Sequence, residues 1–290
     1  MLYKRVVACL VIKNNRVVQS IGFEKYLPVG SPRISVEFLN RWGIDEVILL
    51  DIDATAENRP PDFEMVTESS KKGFVPLTVG GGIKSIDDMR KLIHCGADKI
   101  SINKVSLKKP TIIGEAAAVF GSQCVVVSMD VKNTGNGKYE VFSDSGKNPT
   151  RLSPVSWARE VESLGAGEIL LNSVDRDGMK NGYDLKLISS VADAVAIPII
   201  ACGGVGHPEH FLKGITKGNA SAVAAGNFFH FTEHSPVTTK AYLKKQDIDV
   251  RLDTYSNYKG ADFKKSGRIS KMPEDYLEDL RFEIIPEEVI

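Results

Sequence analysis

"VPLTVGGGIKS" (75–85) and "IPIIACGGVGH" (197–207) are two versions of one pattern, placed 122 positions apart. Each is a short apolar run that ends in glycines and precedes a helical pattern. Other segments repeat at the same or nearly the same offset, which indicates two related halves. The further pairs are "GIDEVILLDID" (43–53) with "GAGEILLNSVD" (165–175), "GADKISINK" (96–104) with "GNASAVAAGN" (218–227), and "ACLVIKN" (8–14) with "VSMDVKN" (127–133).

Short β-branched runs alternate with amphipathic segments along the chain. Continuous apolar strands separated by helices indicate a parallel sheet covered on both faces. Eight strands in this rhythm predict one closed (β/α)8 TIM barrel of two half-barrel repeats, with an open doubly wound sheet as the alternative. The predicted strands are 5–11, 46–52, 75–80, 98–103, 124–130, 168–173, 197–202 and 221–226.

Composition describes an ordinary globular protein of 290 residues. With 37 basic and 37 acidic residues, the charge balance gives no case for binding nucleic acid or an anionic membrane. No apolar stretch approaches the roughly 20 residues of a membrane span. The four cysteines form no CxxC motif, which favours reduced core thiols and a cytoplasmic location.

Glycines follow the predicted third and seventh strands. Backbone amides in such loops approach a phosphate closely, and the next helix amino terminus favours an anion. Since the device occurs in both halves, it predicts two phosphates on one long ligand; turn formation alone is the simpler reading. Gly82 follows strand three, and Gly203 and Gly204 follow strand seven. Asn103 at the end of strand four and Gly226 at the end of strand eight strengthen the phosphate reading.

Acidic residues lie at, or just after, the carboxyl ends of three predicted strands. Asp130 ends "CVVVSMD" and is a candidate general acid or base, or else a loop carboxylate. Asp177 follows strand six, and Asp51 ends strand two, where a structural ion pair is the favoured reading. In the repeat, Val11 occupies the position that corresponds to Asp130.

Four charged residues stand where strands one, two, four and six begin. Solvated strand ends are one reading, and a ring of alternating charges, held by mutual pairing, is the other. The histidine pairs His207/His210 and His230/His234 lack further ligands, so no metal site and no cofactor is predicted. The four charges are Arg5, Glu46, Lys99 and Glu168.

These stretches together resemble one family, the cyclase subunit of imidazole glycerol phosphate synthase from histidine biosynthesis. The resemblance covers about 1–252 and rests on long segments. It implies a half-repeat barrel that binds a two-phosphate ribonucleotide at its mouth. It also implies a glutaminase docked on the opposite face that supplies ammonia through the core. The segments are "KRVVACL", "GIDEVILLDIDAT", "VGGGIKS", "GADKISIN", "FGSQCVVVSMD", "GAGEILLNSVDRDGMKNGYD" and "IIACGGVG" followed by "HFLKG".

The resemblance assigns expected roles to matching positions. Arg5, Glu46, Lys99 and Glu168 match the family's ammonia gate; Gly82 and Asn103 match one phosphate grip; Asp177, Gly178, Gly203, Gly204 and Gly226 lie in the loops of the other; Asp130 matches one of two catalytic aspartates.

The sequence departs from the family pattern at the second catalytic position, which holds Val11. Gln19 replaces a loop lysine, and Lys104 stands where a small hydroxyl residue is usual. The sequence therefore leaves the enzyme activity open. It predicts either a cyclase, or a paralogue that passes ammonia to a third protein for amidination of a surface-polysaccharide sugar, or a non-catalytic scaffold that activates the glutaminase.

The chain divides into a barrel, 1–252, and an extension, 253–290. "MPEDYLEDLRFEII" (272–285) has the spacing of a short amphipathic helix. A disordered tail and docking onto a partner or the barrel are the two readings of the extension.

Overall fold

The computed structural model describes residues 3–135, 137–231, 234–254 and 258–270. The strands are β1 (Arg5–Lys13), β2 (Arg16–Ile21), β3 (Lys25–Gly30), β4 (Glu46–Asp51), β5 (Leu77–Gly80), β6 (Lys99–Ile102), β7 (Val125–Gly135), β8 (Lys138–Ser143), β9 (Asn148–Pro149), β10 (Glu168–Ser173), β11 (Ile199–Cys202) and β12 (Ala222–Ala225). The helices are α1 (Pro32–Arg41), α2 (Ile52–Ala56), α3 (Phe63–Ser70), α4 (Ile86–His94), α5 (Lys104–Lys108), α6 (Thr111–Phe120), α7 (Pro154–Ser163), α8 (Leu185–Ala192), α9 (Pro208–Thr216) and α10 (Ser235–Lys245).

Eight parallel strands close into a barrel in the order β1, β4, β5, β6, β7, β10, β11 and β12. Closure comes from β12, which pairs in parallel with β1 through the register Arg5 to Ala222. β7 likewise pairs with β10 and joins the two halves. The closed barrel confirms the predicted fold and excludes the open sheet.

Side chains alternate between two cores along each barrel strand, as the two-residue period of a strand requires. On β1, Val6 and Ala8 face the helical layer and belong to the large outer core. Val7 and Cys9 face the barrel axis and belong to a smaller inner core. Because both faces are buried, the strands read as continuous apolar runs in the sequence.

Several helices begin at capping residues and end at glycines. Ser85 caps α4 in a reciprocal capping box with Asp88. α1, α4 and α7 are each followed, two residues after their last residue, by a glycine with positive φ: Gly43, Gly96 and Gly165. None of the helices in the described ranges is long and apolar enough to cross a membrane.

A β-hairpin follows the first strand of each half. β2 and β3 continue β1 over one side of the barrel mouth, and β8 and β9 continue β7 over the other. Asn14 and Asn15 make the two-residue turn from β1 to β2, both with positive φ, as a type I′ turn requires. These hairpins occupy matching places in the two halves, and no pattern in the sequence section predicts them.

The described part of the extension packs against the barrel helices. The Phe263 ring lies 5.8 Å from the Tyr242 ring of α10, edge to face. The Ser266 carbonyl accepts a hydrogen bond from the Glu209 amide in the first turn of α9, at 3.1 Å. Phe263 also forms an antiparallel bridge with Ile269. The segment 272–285 lies outside the described residues.

Candidate active site

A cavity of about 480 Å³ opens at the carboxyl ends of the barrel strands. Its size suits a small-molecule ligand. The β2–β3 hairpin and the turn between β8 and β9 contribute to its walls. The structure brings together at this mouth all the residues expected to bind phosphate or carry out chemistry: Gly82, Asn103, Asp130, Asp177, Gly178, Gly203, Gly204 and Gly226.

Asp130 faces the barrel axis in β7, on the same side as Val126 and Ser128. Its carboxylate is buried and accepts a hydrogen bond from Asn103 Nδ2 at 2.9 Å. Burial raises the pKa of Asp130 to about 6, although hydrogen bonds from Asn103 and Asn172 act in the opposite direction. A carboxyl group with this pKa can both release and accept a proton near neutral pH.

Val11 lines the same cavity near the end of β1. Its strand neighbours are Val18 of β2 and Leu50 of β4, which also line the cavity. This wall of the mouth is therefore apolar where it meets the β1 end, whereas the β7 end carries Asp130. A valine cannot transfer a proton, so position 11 supplies no acid or base.

Asp51 has a structural role in the cavity wall. Its carboxylate accepts hydrogen bonds from the amides of Asp53 and Ala54 and so caps α2. It also pairs with the Arg59 guanidinium at 2.8 Å. The carboxylate is committed to these partners, as the structural reading of the sequence expected.

Gly82 and Asn103, which are expected to form the first phosphate grip, line the cavity just after β5 and β6. Gly82 has φ +71°, and a Cβ there would lie 2.8 Å from the Arg59 carbonyl oxygen, so a side chain cannot be accommodated. The Oδ1 atom of Asn103 is buried without a hydrogen-bond partner among the described residues. The site thus holds a polar group that protein contacts leave unsatisfied.

The residues expected to form the second phosphate grip line the cavity in loops after β10, β11 and β12: Asp177, Gly178, Gly203, Gly204 and Gly226. At Gly204 a Cβ would lie 2.3 Å from the Gly182 carbonyl oxygen, with φ at +103°. The close backbone approach explains the glycine and leaves the loop surface open to the cavity.

Asp177 links the loop after β10 to the β2–β3 hairpin. Ser20 Oγ donates to Asp177 Oδ2 at 2.6 Å, and the Phe23 amide donates to the same oxygen at 3.3 Å. Burial raises the pKa of Asp177 to about 6, while these hydrogen bonds lower it. Asn227 adds a pair of hydrogen bonds to the backbone of Ser20. The hairpin is therefore anchored over this end of the mouth.

The charged ring, formed by Arg5, Glu46, Lys99 and Glu168, closes the opposite end of the barrel. Arg5 bonds to Glu46 at 2.5 Å and to Glu168 at 2.7 Å. Lys99 bonds to the same two carboxylates at 3.1 and 3.0 Å. Each charge has two partners of opposite sign, so the mutual pairing that buried charges require is complete.

Polar side chains lie along the barrel axis between the charged ring and the mouth. Thr78 Oγ1 donates to Glu46 Oε1 at 2.8 Å. Ser101 lies two residues after Lys99 on β6, on the same face of the strand. Its buried Oγ has no hydrogen-bond partner in the described ranges. Ser101 and Ser128 both line the cavity. The core is therefore polar on the β5–β7 side.

Similarity to known proteins agrees with this geometry. Residues 5–235 match the family model of the histidine biosynthesis protein. The chain is 43% identical, over 268 residues, to a protein of Vibrio vulnificus (strain YJ016) with the provisional name imidazole glycerol phosphate synthase subunit hisF2. The match covers 92% of this chain and 98% of the relative. The chain belongs to the imidazole glycerol phosphate synthase cyclase family.

As a member of this cyclase family, the chain is a divergent paralogue. Its departures are at the mouth. Val11 stands in the apolar wall, and Gln19 lies in the β2–β3 hairpin, paired with Leu27. Lys104 begins α5 and forms an ion pair with Asp144 in the turn between β8 and β9.

Sequence reasoning missed several polar residues that this family member places in the core. Asn172 has a buried Oδ1 without a partner in the described part of the chain, and lies beside Asp130 in the β10–β7 register. Asn172 lies two residues after Leu170 on the same strand, and this spacing was the available signal that both side chains face the barrel axis.

The histidine pair His207/His210 stacks, with ring centroids 3.7 Å apart. Across the described residues, no three His, Cys, Asp or Glu side chains converge as metal ligands.

Proposed function

We propose that the chain is the cyclase-type, ammonia-receiving subunit of a glutamine amidotransferase, with a separate glutaminase docked on the amino-terminal face of the barrel. The observation that carries the proposal is the charged ring, in which Lys99 and Arg5 bridge two buried glutamates. Burying such charges costs desolvation energy. The amino-terminal face of a barrel normally serves stability alone. The charged ring at this face therefore suggests a role beyond stability.

The proposed docking face also exposes aromatic side chains. Phe74, just before β5, is 90% exposed, and Tyr3, just before β1, is 65% exposed. Aromatic residues are enriched where proteins bind each other, because they bury much apolar area at little entropic cost. Both therefore suit contact with a partner at the rim of the charged ring.

Ammonia that crosses the charged ring would meet Thr78, Ser101 and Ser128 on its way to Asp130. These side chains offer hydrogen-bond partners to a small polar molecule, and the unpaired Ser101 Oγ is available to it. The Lys99 side chain would move aside for ammonia without moving a strand, since side-chain bonds alone hold its ammonium group in the ring.

At the mouth, the two phosphate grips would hold a ligand with a phosphate at each end. The grips belong to equivalent loops of the two halves, on opposite sides of Asp130. Crystals grown with sulfate are expected to show anions near Gly82 and near Gly204. An anion at one grip alone would remove the two-phosphate ligand from the proposal.

Co-expression with a glutaminase tests the partner. Size-exclusion chromatography should give a 1:1 complex, and Phe74→Ser should weaken it. Lys99→Met should reduce transfer of glutamine-derived ammonia more than it reduces glutamine hydrolysis. Equal losses of both activities, or separate elution of the two proteins, would contradict the proposal.

A second candidate function is delivery of ammonia to a third protein, for example one that amidinates a surface-polysaccharide sugar. Val11 favours it, because the mouth lacks one of the two groups for proton transfer while the charged ring is complete. In that case glutamine-dependent amidination would require the third protein, and free ammonia would replace the glutaminase. A scaffold that only activates the glutaminase would show neither ammonia transfer nor an effect of Lys99→Met.

A further inference from the structure

The side chains that line the upper part of the barrel core differ between its two sides. β1, β4 and β11 contribute apolar side chains and thiols to the cavity: Cys9, Val11, Leu50 and Cys202. The other side, here called the acceptor wall, is built on β6, β7, β10 and the residue after β6. It consists of Ser101, Asn103, Ser128, Asp130 and Asn172. A small polar ligand in the upper barrel therefore finds its hydrogen-bond partners on the acceptor wall.

Asp130 is the charged member of the acceptor wall, and neutral donors hold it. Asn172 is its register partner on β10, and Asn103 Nδ2 donates to Asp130 Oδ2 at 2.9 Å from the β6 side. Burial raises the pKa of Asp130, while hydrogen bonds from both amides and the charge of Lys132 lower it. The Nζ of Lys132 lies over the Phe142 ring, 5.1 Å from the ring centre, and forms no ion pair with Asp130. The buried carboxylate thus lacks a bonded partner of opposite charge in the described part of the chain.

The lysines that line the cavity do not supply that partner. Lys104 pairs with Asp144, and Lys84 donates to a backbone carbonyl at 2.8 Å. A second carboxylate, that of Asp177, also lines the cavity, and its charge raises the pKa of Asp130 further. Between the two carboxylates, the centre of the mouth favours a cation.

The acceptor wall also holds acceptor atoms that no described residue satisfies. Ser101 Oγ, Asn103 Oδ1 and Asn172 Oδ1 are buried without a hydrogen-bond partner in the described ranges. Ser101 is only 3% exposed, so water from the open mouth reaches it poorly. The two amides turn their NH₂ groups to Asp130 and leave their oxygens to other donors. Since buried polar atoms normally have partners, these three atoms call for a ligand rich in N–H or O–H donors.

We propose that the acceptor wall binds an ammonium ion, with Asp130 as its counter-ion and the unpaired oxygens of Ser101 and Asn172 as further acceptors. The site rests on the proposed ammonia-receiving function and deepens it, because it gives the delivered nitrogen a place between the core and the mouth. Ammonium is small, carries one positive charge and has four N–H donors. Hydrogen bonds between charged partners are roughly twice as strong as neutral ones, which favours ammonium over water at Asp130.

The same site can interconvert ammonium and ammonia. Ammonia that arrives through the core takes the proton of the carboxyl form of Asp130: the O–H bond breaks, an N–H bond forms, and ammonium and carboxylate remain as an ion pair. The reverse transfer returns neutral ammonia to the mouth. A pKa of about 6 places both forms of Asp130 within reach near neutral pH.

Thermal unfolding of the full chain in ammonium, potassium and sodium chloride at equal concentration and pH tests the proposal. Potassium is the sharp comparison, because it has nearly the size and charge of ammonium but no N–H donors. A site half-filled at about 10 mM should raise the melting temperature by about 3–5 °C at about 100 mM ammonium. Potassium and sodium should differ from each other by less than about 1 °C. Nitrogen-15 ammonium should give a bound resonance whose protons exchange slowly with water.

Variants locate the site, and the readout for each is its own difference between ammonium and potassium, which cancels any change in basal stability. Asp130→Asn should abolish the difference and the bound resonance. Asn172→Leu and Ser101→Ala should each reduce the difference by about half. Ser69→Ala is the matched control for Ser101→Ala, because Ser69 is a buried serine of α3 outside the cavity.

Three results would overturn the proposal. Equal stabilisation by potassium would show a general monovalent-cation site. No ammonium-specific shift and no bound resonance would show that the acceptor wall holds water alone. A shift that survives in Asp130→Asn would place the ion elsewhere. Ammonia transfer from the glutaminase is measured separately, so transfer without ammonium binding would remove this site and leave the proposed function intact.

Discussion

Lys99 Nζ lies 3.0 Å from Glu168 Oε2 and closes a ring that spans four strands of the barrel. Glu46, with a side chain only 1% exposed, depends on Lys99 and Arg5 for its compensation. A buried ion pair gives little net stability, yet removing one partner leaves an uncompensated buried charge. The ring therefore holds its geometry firmly and responds strongly to the loss of any member.

Glu46→Gln should lower the free energy of unfolding by about 3 kcal/mol, because two cations lose their shared carboxylate. Urea denaturation measures the change. Glu37→Gln breaks the exposed pair with Arg41, at 2.7 Å, and should cost less than about 1 kcal/mol. The double variant Glu46→Gln/Lys99→Gln should be more stable than additivity predicts. Similar costs at Glu46 and Glu37 would show that the ring is not electrostatically coupled.

The raised pKa of Asp130 gives stability a definite pH dependence. Between about pH 4 and 6 the folded protein keeps a proton on Asp130 that the unfolded chain has released. Stability therefore falls as the pH rises through this window and stays lower above it. Asp130→Asn should raise the free energy of unfolding at pH 7 by about 1–3 kcal/mol and flatten the profile.

Asp177 should retain part of this dependence in the Asp130 variant, since burial also raises its pKa to about 6. Asp247→Asn, at an exposed position with φ +58° that asparagine tolerates, is the control and should leave the profile unchanged. Urea titrations at several pH values give the curves. A profile that Asp130→Asn does not alter would contradict the raised pKa.

Ser20→Ala should loosen the β2–β3 hairpin, because it removes the 2.6 Å bond to Asp177. The expected cost is about 1–2 kcal/mol, since a partly buried carboxylate loses a donor. Hydrogen exchange at 22–26 should speed up while that of β7 stays constant. Ser163→Ala, which removes only a bond to the Glu160 carbonyl on α7, is the control. Unchanged exchange at 22–26 would mean that other contacts anchor the hairpin.

Phe263→Ala should destabilise the barrel by about 1–3 kcal/mol, because the ring packs on Tyr242 of α10. Phe74→Ala removes an equally large ring that is 90% exposed and should leave stability unchanged. Thermal unfolding of the two variants separates a docked extension from a passive tail. If both variants melt with the parent, the extension contributes nothing to the barrel.

The strand rhythm and the repeat were enough to predict the barrel, because β-branched runs and glycine-ended helices are local signals. The β2–β3 hairpin had such a signal too, in Asn14-Asn15 between alternating residues. The run 5–11 by itself accounts for one barrel strand, so the barrel prediction does not require the turn that follows it. Hairpin placement over the mouth depends on Ser20, Asn227 and Asp177, which are far apart in the sequence.

Sequence also placed the site residues at the correct ends of the strands, since the repeat aligns one half with the other. It could not give their partners. The bonds from Asn103 to Asp130 and from Thr78 to Glu46 join different strands. The stagger of the strands in the closed barrel decides which of these side chains meet. The ion pair of Lys104 likewise depends on the turn between β8 and β9.

The last prediction concerns Val11. With free ammonia at high pH and the ribonucleotide substrate of the family, the protein should turn over weakly or not at all, since loss of one of two proton-transfer groups costs about 10²–10⁴-fold in rate. Val11→Asp tests whether the site can regain the pair. The new carboxylate would share the mouth with Asp130 and raise the pKa of that residue further, so it should also destabilise the fold near pH 7.

Val11→Asn is the matched control, because it is polar and of similar size but cannot transfer a proton. A gain in cyclase rate with Asp and not with Asn would show that position 11 alone limits the reaction. Full activity of the unchanged protein would show that Asp130 suffices and would end the case for another acceptor. No activity in any of the three forms, together with intact glutaminase-dependent ammonia release, is the result we expect. Gln19 and Lys104 have changed the mouth as well.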